Sequence, residues 1–224
     1  MSMTRIVVLA DSWKHQDWCI AGIDLDTGRW VRPVTDLDDG RVPIKSMKLG
    51  GYFPELLDVL EIPLDSAGLD FGFESENRTI LPGRWYLCDK MMPEDIEKYA
   101  KRPYYVLHNR RKYVTPAELL QKSFEKRVTL QLIHVDNFKV RDARKEPTDK
   151  PNWNGEILSG RRKLEVKITD PVFFERLNSG HKPSPSCFLT MSLSMPYKPS
   201  GWDEDEEPAC WKLIAGVIEL QKKQ

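Results

Sequence analysis

Arginine, lysine and tryptophan side chains cluster in one short stretch near the start of the chain. Residues 17–34 read DWCIAGIDLDTGRWVRPV, and a tryptophan and a lysine stand just before them at positions 13 and 14. Tryptophan rings can stack on nucleic-acid bases, and each stacked base contributes about 1–3 kcal/mol. Arginine offers a forked donor that fits phosphate. The candidates for binding a flat, anionic ligand are therefore Trp13, Lys14, Arg29, Trp30 and Arg32.

The same residues allow a purely structural interpretation. Trp30 could close one end of a barrel, and Arg32 could pair with a carboxylate such as Asp24. The choice depends on whether these side chains are exposed, and the sequence leaves both interpretations open.

A second basic stretch runs from residue 101 to 112 and reads KRPYYVLHNRRK. It contains no acid, and Tyr104, Tyr105 and His108 stand among its cations. We predict a short helix on either side of it, which places it at a junction between domains, where ligand grooves are common. Nucleic-acid contact and a solvated connector are both open here. The candidates for phosphate binding in this stretch are Arg110, Arg111 and Lys112.

Two further charged runs have simpler explanations. Arg161-Arg162-Lys163 enters a strand from a long loop, and exposed charge clusters of this size are usually only solvated. Residues 203–207 are five consecutive acids, which could bind a divalent cation, imitate phosphates or cover a basic groove. Their spacing matches no EF-hand, and a surface loop is the simpler interpretation.

The sequence favours a protein without enzymatic activity. Its four histidines form no metalloprotease or deaminase motif, and no phosphate-binding loop, dinucleotide fingerprint or nucleophile elbow occurs. Asp58 and Glu61 faintly resemble a nuclease acid pair, but no catalytic lysine follows in register. We therefore predict no catalytic residue, no metal ligand and no cofactor.

Strands must position most of these residues. Residues 17–34 are typical of a β-hairpin, because apolar residues alternate from Cys19 to Leu25 and Asp26-Thr27-Gly28 supplies a turn. Pro33 cannot donate to a ladder, so the return strand is predicted to run along an edge or to end at this point. Further strands are predicted within residues 5–10, 58–64, 79–88, 128–135, 163–168, 187–195 and 213–220.

Three short helices and two loops connect these strands. Pro93 with two following acids predicts a helix over 92–101, and Thr115-Pro116-Ala117-Glu118 is a capping box that opens a helix to about Gln121. Asp170-Pro171 opens a third helix over 172–177. Residues 144–160 and 196–208 lack periodicity and are predicted to be loops.

Many short strands with sparse helices indicate small β-barrels. A five-stranded barrel takes roughly 80–110 residues, so a chain of 224 residues holds two. Ile20-Ala21-Gly22-Ile23 and Ile214-Ala215-Gly216-Val217 resemble each other, as two similar barrels would explain. The predicted fold class is mainly β: two small barrels with a few short helices. The predicted domains are an N-terminal barrel in 1–100, a helical connector in 101–125 and a C-terminal barrel in 126–224.

Composition limits the partners. Lys plus Arg total 34 and Asp plus Glu total 34, so the formal net charge is zero and nucleic-acid binding needs a local patch. No apolar run approaches the roughly 18 residues that span a bilayer, so we predict no membrane partner. The four cysteines form no C-x-x-C pair and are interpreted as buried thiols of a cytoplasmic protein.

Both ends of the chain resemble one protein family. The residues in question are Ser12, Lys14, the segment 19–22 (CIAG) and the segment 28–34 (GRWVRPV), together with FLTMSL at 188–193 and KLIAGV at 212–217. This pattern resembles the bacterial dual OB-containing domain family. The resemblance implies two OB-like barrels and a presumed role in nucleic-acid binding, sometimes in bacterial conflict systems. It supplies no catalytic residues to carry over.

These observations favour a non-catalytic nucleic-acid-binding protein that prefers single strands of DNA or RNA. Trp13 and Trp30 would stack on bases, while the basic candidates would hold phosphates. An alternative is a sensor that binds a nucleotide or modified base between the two barrels, which suits the neutral net charge. A protein partner that docks on the acidic loop or on edge strands is also open.

Overall fold

The strands form two sheets within the part of the chain that the structure describes. The structure, a computed structural model, describes residues 3–14, 17–43, 47 and 49–221, without the side chains of 13, 14, 17 and 18. Strands dominate and the helices are short, so the predicted mainly β fold is confirmed. The first sheet contains β1 (Met3–Lys14), β2 (Asp17–Asp24), β3 (Trp30–Val34), β4 (Asp58–Pro63), β5 (Asn77–Thr79) and β6 (Tyr86–Lys90). The second contains β7 (Tyr113–Val114), β8 (Leu130–Val135), β9 (Lys139–Asp142), β10 (Trp153–Ser159), β11 (Arg162–Ile168), β12 (Cys187–Leu193) and β13 (Cys210–Glu219).

The first sheet has the strand order β5-β3-β2-β1-β4-β6. Strands β3 and β5 run parallel, whereas the other neighbours are antiparallel. A single bridge between Leu64 and Ile80 connects the end of β4 to the end of β5. The first five strands thereby follow the Greek-key order of a small, partly open barrel. Its interior is filled by buried residues that include Ile6, Val8, Ile20, Leu60 and Ile62.

The second sheet repeats this connectivity. Its order is β8-β12-β13-β11-β10-β9, and β11 and β13 form its parallel pair. Only residues 136–138 separate β8 from β9, and Asn137 turns the chain there with a φ of 61°. Strands β8 and β9 therefore act as one bent first strand, and β10 and β11 are the second and third strands of this barrel.

Two α-helices begin at the residues that the sequence predicts. Helix α1 covers Pro116–Leu120 after the capping box, in which Thr115 Oγ1 accepts the Glu118 N–H at 3.2 Å and Glu118 Oε2 accepts the Thr115 N–H at 3.0 Å. Helix α2 covers Pro171–Asn178 between β11 and β12. Both helices start with proline, whose missing N–H costs nothing in the first turn.

The predicted helix over 92–101 is a 3-10 helix over Pro93–Tyr99. Two further 3-10 turns cover Val106–His108 and Phe124–Lys126. No helix within the described residues is long and apolar enough to cross a membrane.

The two barrels pack against each other through the outer faces of their sheets. Val7, Leu9 and Ile23 of the first barrel form one buried cluster with Leu132 and Phe188 of the second. A neighbouring cluster consists of small residues that let the sheets approach closely, namely Ala10, Ala21 and Ala215, together with Leu130. Burial of these apolar side chains between the sheets stabilises the packing of the two barrels against each other.

The segment between the barrels packs on the second one. Val106, Val114 and Leu119 are buried in the same core as Ile157 and Leu189. Strand β7 pairs with β13, and residue 101 forms a parallel bridge with residue 133 of β8. The domain limits 1–100, 101–125 and 126–224 stay a prediction.

Two local predictions are wrong, and a third holds in one of its two forms. The loop predicted over 144–160 contains strand β10, because residues 155, 157 and 159 turn inward at strand spacing. Strand β3 does not run along an edge, because it pairs with β2 at its start and with β5 around Pro33, but it ends at Val34, one residue after the proline, which agrees with the other form of the prediction. The thiol of Cys88 is exposed, whereas those of Cys187 and Cys210 are buried as predicted.

Candidate nucleic-acid interface

The hairpin of β2 and β3 lies at the contact between the barrels. Trp30 is half-buried and packs against the two apolar clusters that join the barrels. One of these clusters includes Leu130 and Ala215 of the second barrel. The structural role that the sequence left open for Trp30 is therefore the one that its surroundings favour.

Arg32 is part of a buried network. Its Nη1 lies 2.6 Å from Glu74 Oε1 and donates to Asn77 Oδ1 at 3.2 Å, while its Nη2 donates to Thr129 Oγ1 at 3.1 Å. Only 13 % of its side chain is exposed. Its ion-pair partner is Glu74 rather than the Asp24 that the sequence suggested, and a phosphate would have to compete with this network.

Glu76 carries the network into the second barrel. Its carboxylate accepts the N–H of Thr129 at 2.6 Å, the Thr129 hydroxyl at 2.9 Å and the N–H of Leu130 at 3.3 Å. Burial raises the pKa of Glu76, and nearby Arg32 and the bonds from Thr129 act in the opposite direction. The network therefore fixes the start of β8 against the first barrel.

The other candidates of the first barrel differ in position. Arg29 is exposed at the turn between β2 and β3. Trp13 and Lys14 end strand β1, and their side chains lie outside the described residues. The predicted contacts of all three with bases or phosphates stay predictions.

Ser159 joins the two basic stretches of the second barrel. Its buried hydroxyl accepts the N–H of Val106 at 2.9 Å and donates to the carbonyl oxygen of Asn109 at 2.7 Å. The N–H of Gly160, in the turn between β10 and β11, donates to the carbonyl oxygen of Tyr104 at 2.5 Å. These bonds place residues 104–110 over the turn that contains Arg161, next to Arg162 at the start of β11.

Tyr104 and Tyr105 form an exposed aromatic pair at this point. Their ring centroids lie 4.7 Å apart in an edge-to-face arrangement, and the residues are 64 % and 45 % exposed. A Cβ atom on Gly160 would lie 3.0 Å from the Tyr105 ring, so glycine lets the turn pass beneath the pair. An exposed pair of rings is a surface on which bases can stack.

The cations around the tyrosine pair are of two kinds. Arg110, Lys112, Arg161 and Arg162 are exposed and form no ion pair with a described residue. Arg111 pairs with Glu118 and covers the ring of Tyr113, with its guanidinium carbon 4.8 Å from the ring centroid. The exposed group is available to phosphate without breaking an existing bond. We call the six residues Tyr104, Tyr105, Arg110, Lys112, Arg161 and Arg162 the tyrosine–arginine surface.

A groove of about 600 Å³ borders this surface. Val106, Ile133, Ile157 and Leu158 supply apolar lining. Further lining comes from charged residues that pair within the groove, namely Arg102 with Asp136 and Lys163 with Glu156.

A buried lysine and a strained stretch of backbone support the tyrosine–arginine surface. Lys212 is 3 % exposed, and its Nζ donates to the carbonyl oxygen of Asn109 at 2.6 Å and to its Oδ1 at 3.2 Å. Burial and, to a smaller extent, nearby Arg111 together lower the pKa of Lys212 to about 7, against an opposing effect of Glu118. Leu107 and His108 take positive φ values of 43° and 79°, a conformation that non-glycine residues keep only when packing enforces it.

The sequence singled out Arg110 and Lys112 of this surface but pointed to residues 161–163 only as a solvated cluster, and the supports of the surface were missed. Ser159 and Lys212 act through bonds to residues about 50 and 100 positions away. The available clue was a serine and a lysine at inward positions of strands whose other inward residues are apolar or glycine.

The metal site and the acidic-loop site considered in the sequence analysis find no support among the described residues. No group of three or more His, Cys, Asp or Glu residues among them is placed to hold a metal ion. The acidic residues 203–207 lie in an exposed loop, where Lys198 Nζ donates to the carbonyl oxygen of Glu204 at 2.7 Å.

Comparison with known proteins gives one finding. The family model described as "dual OB-containing domain" matches residues 4–217, nearly the whole chain. No curated protein and no solved structure matches the chain.

Proposed function

This chain belongs to the dual OB-containing domain family, and we propose that it is a non-catalytic protein that binds single-stranded nucleic acid on the tyrosine–arginine surface. OB barrels bind oligonucleotides mainly on the face of their second and third strands. In the second barrel these strands are β10 and β11; Arg161 lies in the turn between them, and Arg162 begins β11.

The exposed Tyr104–Tyr105 pair is the observation that carries this proposal. Single exposed aromatic side chains are common on protein surfaces, but two adjacent exposed rings can stack on more than one base. Bases would stack on the two rings, and the four cations of the surface, which form no ion pair with a described residue, would contact the phosphates. Arg111 would contribute less than Arg110 and Lys112, because Glu118 already holds its guanidinium.

A single strand suits this surface better than a duplex. Stacking on a side chain requires a base face that is free, which a base pair inside a duplex does not offer. The net charge of zero also favours a short footprint, in which a few local cations supply the attraction. The tyrosine–arginine surface has room for stacking and for only a few phosphates.

The alternative, a nucleotide sensor between the barrels, finds less support. The cavity between the barrels that contains Asp11 and Asp170 is also lined by Glu55 and Glu219. Its carboxylates would repel a phosphate group. A second cavity, beside Arg32 and Glu74, measures about 200 Å³, which is below the usual range for ligand pockets.

Fluorescence anisotropy of labelled single-stranded DNA, single-stranded RNA and duplex DNA tests the proposal. We expect salt-sensitive binding to at least one single strand and weaker binding to the duplex. Replacing Tyr104 and Tyr105 together with alanine should weaken binding at least tenfold, since each stacked base contributes about 1–3 kcal/mol.

Tyr197→Ala is the matched control, because Tyr197 is 59 % exposed and lies outside the tyrosine–arginine surface. It should leave the affinity unchanged. Absence of binding to all three probes at low salt would contradict the proposed function. Equal weakening by the double variant and by the control would remove the tyrosine pair from it.

A further inference from the structure

A cavity of about 500 Å³ lies where the two barrels meet helix α2. Its charged lining comes from four separate segments: Asp11 in β1, Glu55 before β4, Asp170 and Arg176 at α2, and Glu219 in β13. The described lining thus holds four carboxylates and one guanidinium. It favours a positively charged occupant and disfavours a phosphate.

Asp11 differs from the other acids of this cavity because part of it has no partner. The residue is 4 % exposed, and its Oδ1 makes no hydrogen bond to a described residue. A buried acceptor without a partner costs about 1–3 kcal/mol. Such a group in the wall of a cavity indicates a missing donor rather than a structural role.

The remaining acids are already bonded within the protein. Asp170 accepts the N–H groups of Phe173 and Val217, both at 2.9 Å. Glu55 lies 2.6 Å from Lys90 Nζ. Glu219 accepts the N–H of Ser184 at 2.6 Å and pairs with Arg176.

We propose that this cavity binds a small organic cation, an ammonium or a guanidinium, whose N–H group donates to Oδ1 of Asp11. Apolar side chains, including Leu57 and Phe173, line other parts of the cavity and suit an aliphatic chain on the ligand. A metal ion fits less well, because no three acidic, histidine or cysteine side chains within the described ranges are placed to ligate one. This site is separate from the tyrosine–arginine surface.

Binding of such a cation should release a proton. Burial raises the pKa of Asp11 to about 8, and repulsion by Asp170 contributes to the rise. The other charges that face Asp11 across the cavity are those of Glu55, Glu219 and Arg176. A bound cation favours the ionised form of Asp11, so its binding expels the proton.

Calorimetric titration of the full chain with agmatine tests the proposal. Agmatine carries an ammonium and a guanidinium, and butylurea is a neutral molecule of similar shape. We expect agmatine to bind, butylurea and MgCl₂ not to bind, and the affinity for agmatine to rise about tenfold between pH 6 and pH 7. Titrations in buffers of different ionisation enthalpy should show close to one proton released at pH 7.

Two variants change the affinity in opposite directions. Asp11→Asn keeps the shape but removes the charge and should weaken agmatine binding at least tenfold. Arg176→Gln removes the competing cation of the cavity and should tighten binding several-fold, which gives a second readout if Asp11→Asn folds poorly. Binding without proton release, or equal binding by the parent protein and by a folded Asp11→Asn variant, would overturn the proposal. So would the absence of agmatine binding at millimolar concentration.

Discussion

The Cβ position of Gly216 lies 2.3 Å from the carbonyl oxygen of Leu9, closer than any real Cβ atom can approach. This contact joins the last strand of the second barrel to the first strand of the first barrel. The hydroxyl of Thr190 donates to the same carbonyl oxygen. One backbone oxygen is therefore a fixed point of the interface between the barrels, and only glycine fits against it.

Gly216→Ala should destabilise the protein by about 3 kcal/mol, because the added methyl group meets backbone atoms that cannot move aside. Urea unfolding measures this loss. Gly180→Ala is the control: Gly180 has a φ of 84° but no atom within 4 Å of its Cβ position, so only the cost of the left-handed conformation applies, about 1 kcal/mol. Equal losses in the two variants would contradict the close approach of the sheets.

Arg32→Met should destabilise the protein by about 3–5 kcal/mol, since it leaves the carboxylate of Glu74 buried without its cation. Arg29→Met, on the same hairpin but exposed, should change the free energy of unfolding by less than about 0.5 kcal/mol. Chemical unfolding of both variants measures the difference. An Arg32 variant of unchanged stability that had lost affinity for single strands would instead assign Arg32 to phosphate binding.

The free energy of unfolding of Asp11→Asn, relative to that of the parent, should increase as the pH rises from 5 to 8. An unfolded aspartate loses its proton near pH 4, whereas burial holds the pKa of folded Asp11 at about 8. Between these values the unfolded chain binds fewer protons, so the folded parent loses stability by up to about 1.4 kcal/mol per pH unit. Asparagine carries no such proton. Unfolding of both proteins at pH 5, 6.5 and 8, without ligand, measures the difference, and a constant difference would exclude a raised pKa.

Thiol titration of the native protein should distinguish the cysteines. Cys88 is exposed and should react rapidly with Ellman's reagent at pH 8. Cys187 and Cys210 are buried, and burial raises the pKa of each to about 12, so they should react only after unfolding. Cys88→Ser should lower the amplitude of the rapid phase by one thiol; Cys19, which is partly buried, is the remaining cysteine. An unchanged amplitude in this variant would contradict the exposure assigned to Cys88.

Local patterns in the sequence predicted the parts of the fold that depend on neighbouring residues. The capping box at Thr115 and the Asp170-Pro171 start both lie where expected, because each cap bonds a residue three positions away. The prediction of a loop over residues 144–160 was wrong because strand β10 depends on distant residues: it is held by its pairing with β9 and β11.

The role of the first hairpin could not be predicted, because the second barrel decides which of its faces is covered. Trp30 and Arg32 look like ligand contacts in the sequence, yet Trp30 packs against a cluster that contains Leu130, and Arg32 donates to Thr129. The similarity of residues 20–23 to 214–217 also has a packing origin. Gly22 and Gly216 lie on strands of different position in their barrels, and both meet backbone oxygens of β1.

The candidate site was predictable as two basic stretches and not as one surface. Residues 101–112 and 161–163 each have an ordinary explanation alone. Ser159 brings them together through bonds to Val106 and Asn109, which are about 50 positions away. Exposure of the tyrosine pair is likewise a property of the folded chain.

The salt dependence of single-strand binding tests the central claim most directly. The affinity of the parent protein, of Arg161→Ala/Arg162→Ala and of Lys145→Ala/Lys150→Ala should be measured by anisotropy over a series of salt concentrations. Lys145 and Lys150 are exposed in the loop at the other end of β10, so they match the arginine pair in charge. Loss of two phosphate contacts should lower the slope of log affinity against log salt by about 1.4. We expect this decrease in the arginine variant and an unchanged slope in the lysine variant. The same slope in all three proteins would contradict a binding site on the tyrosine–arginine surface.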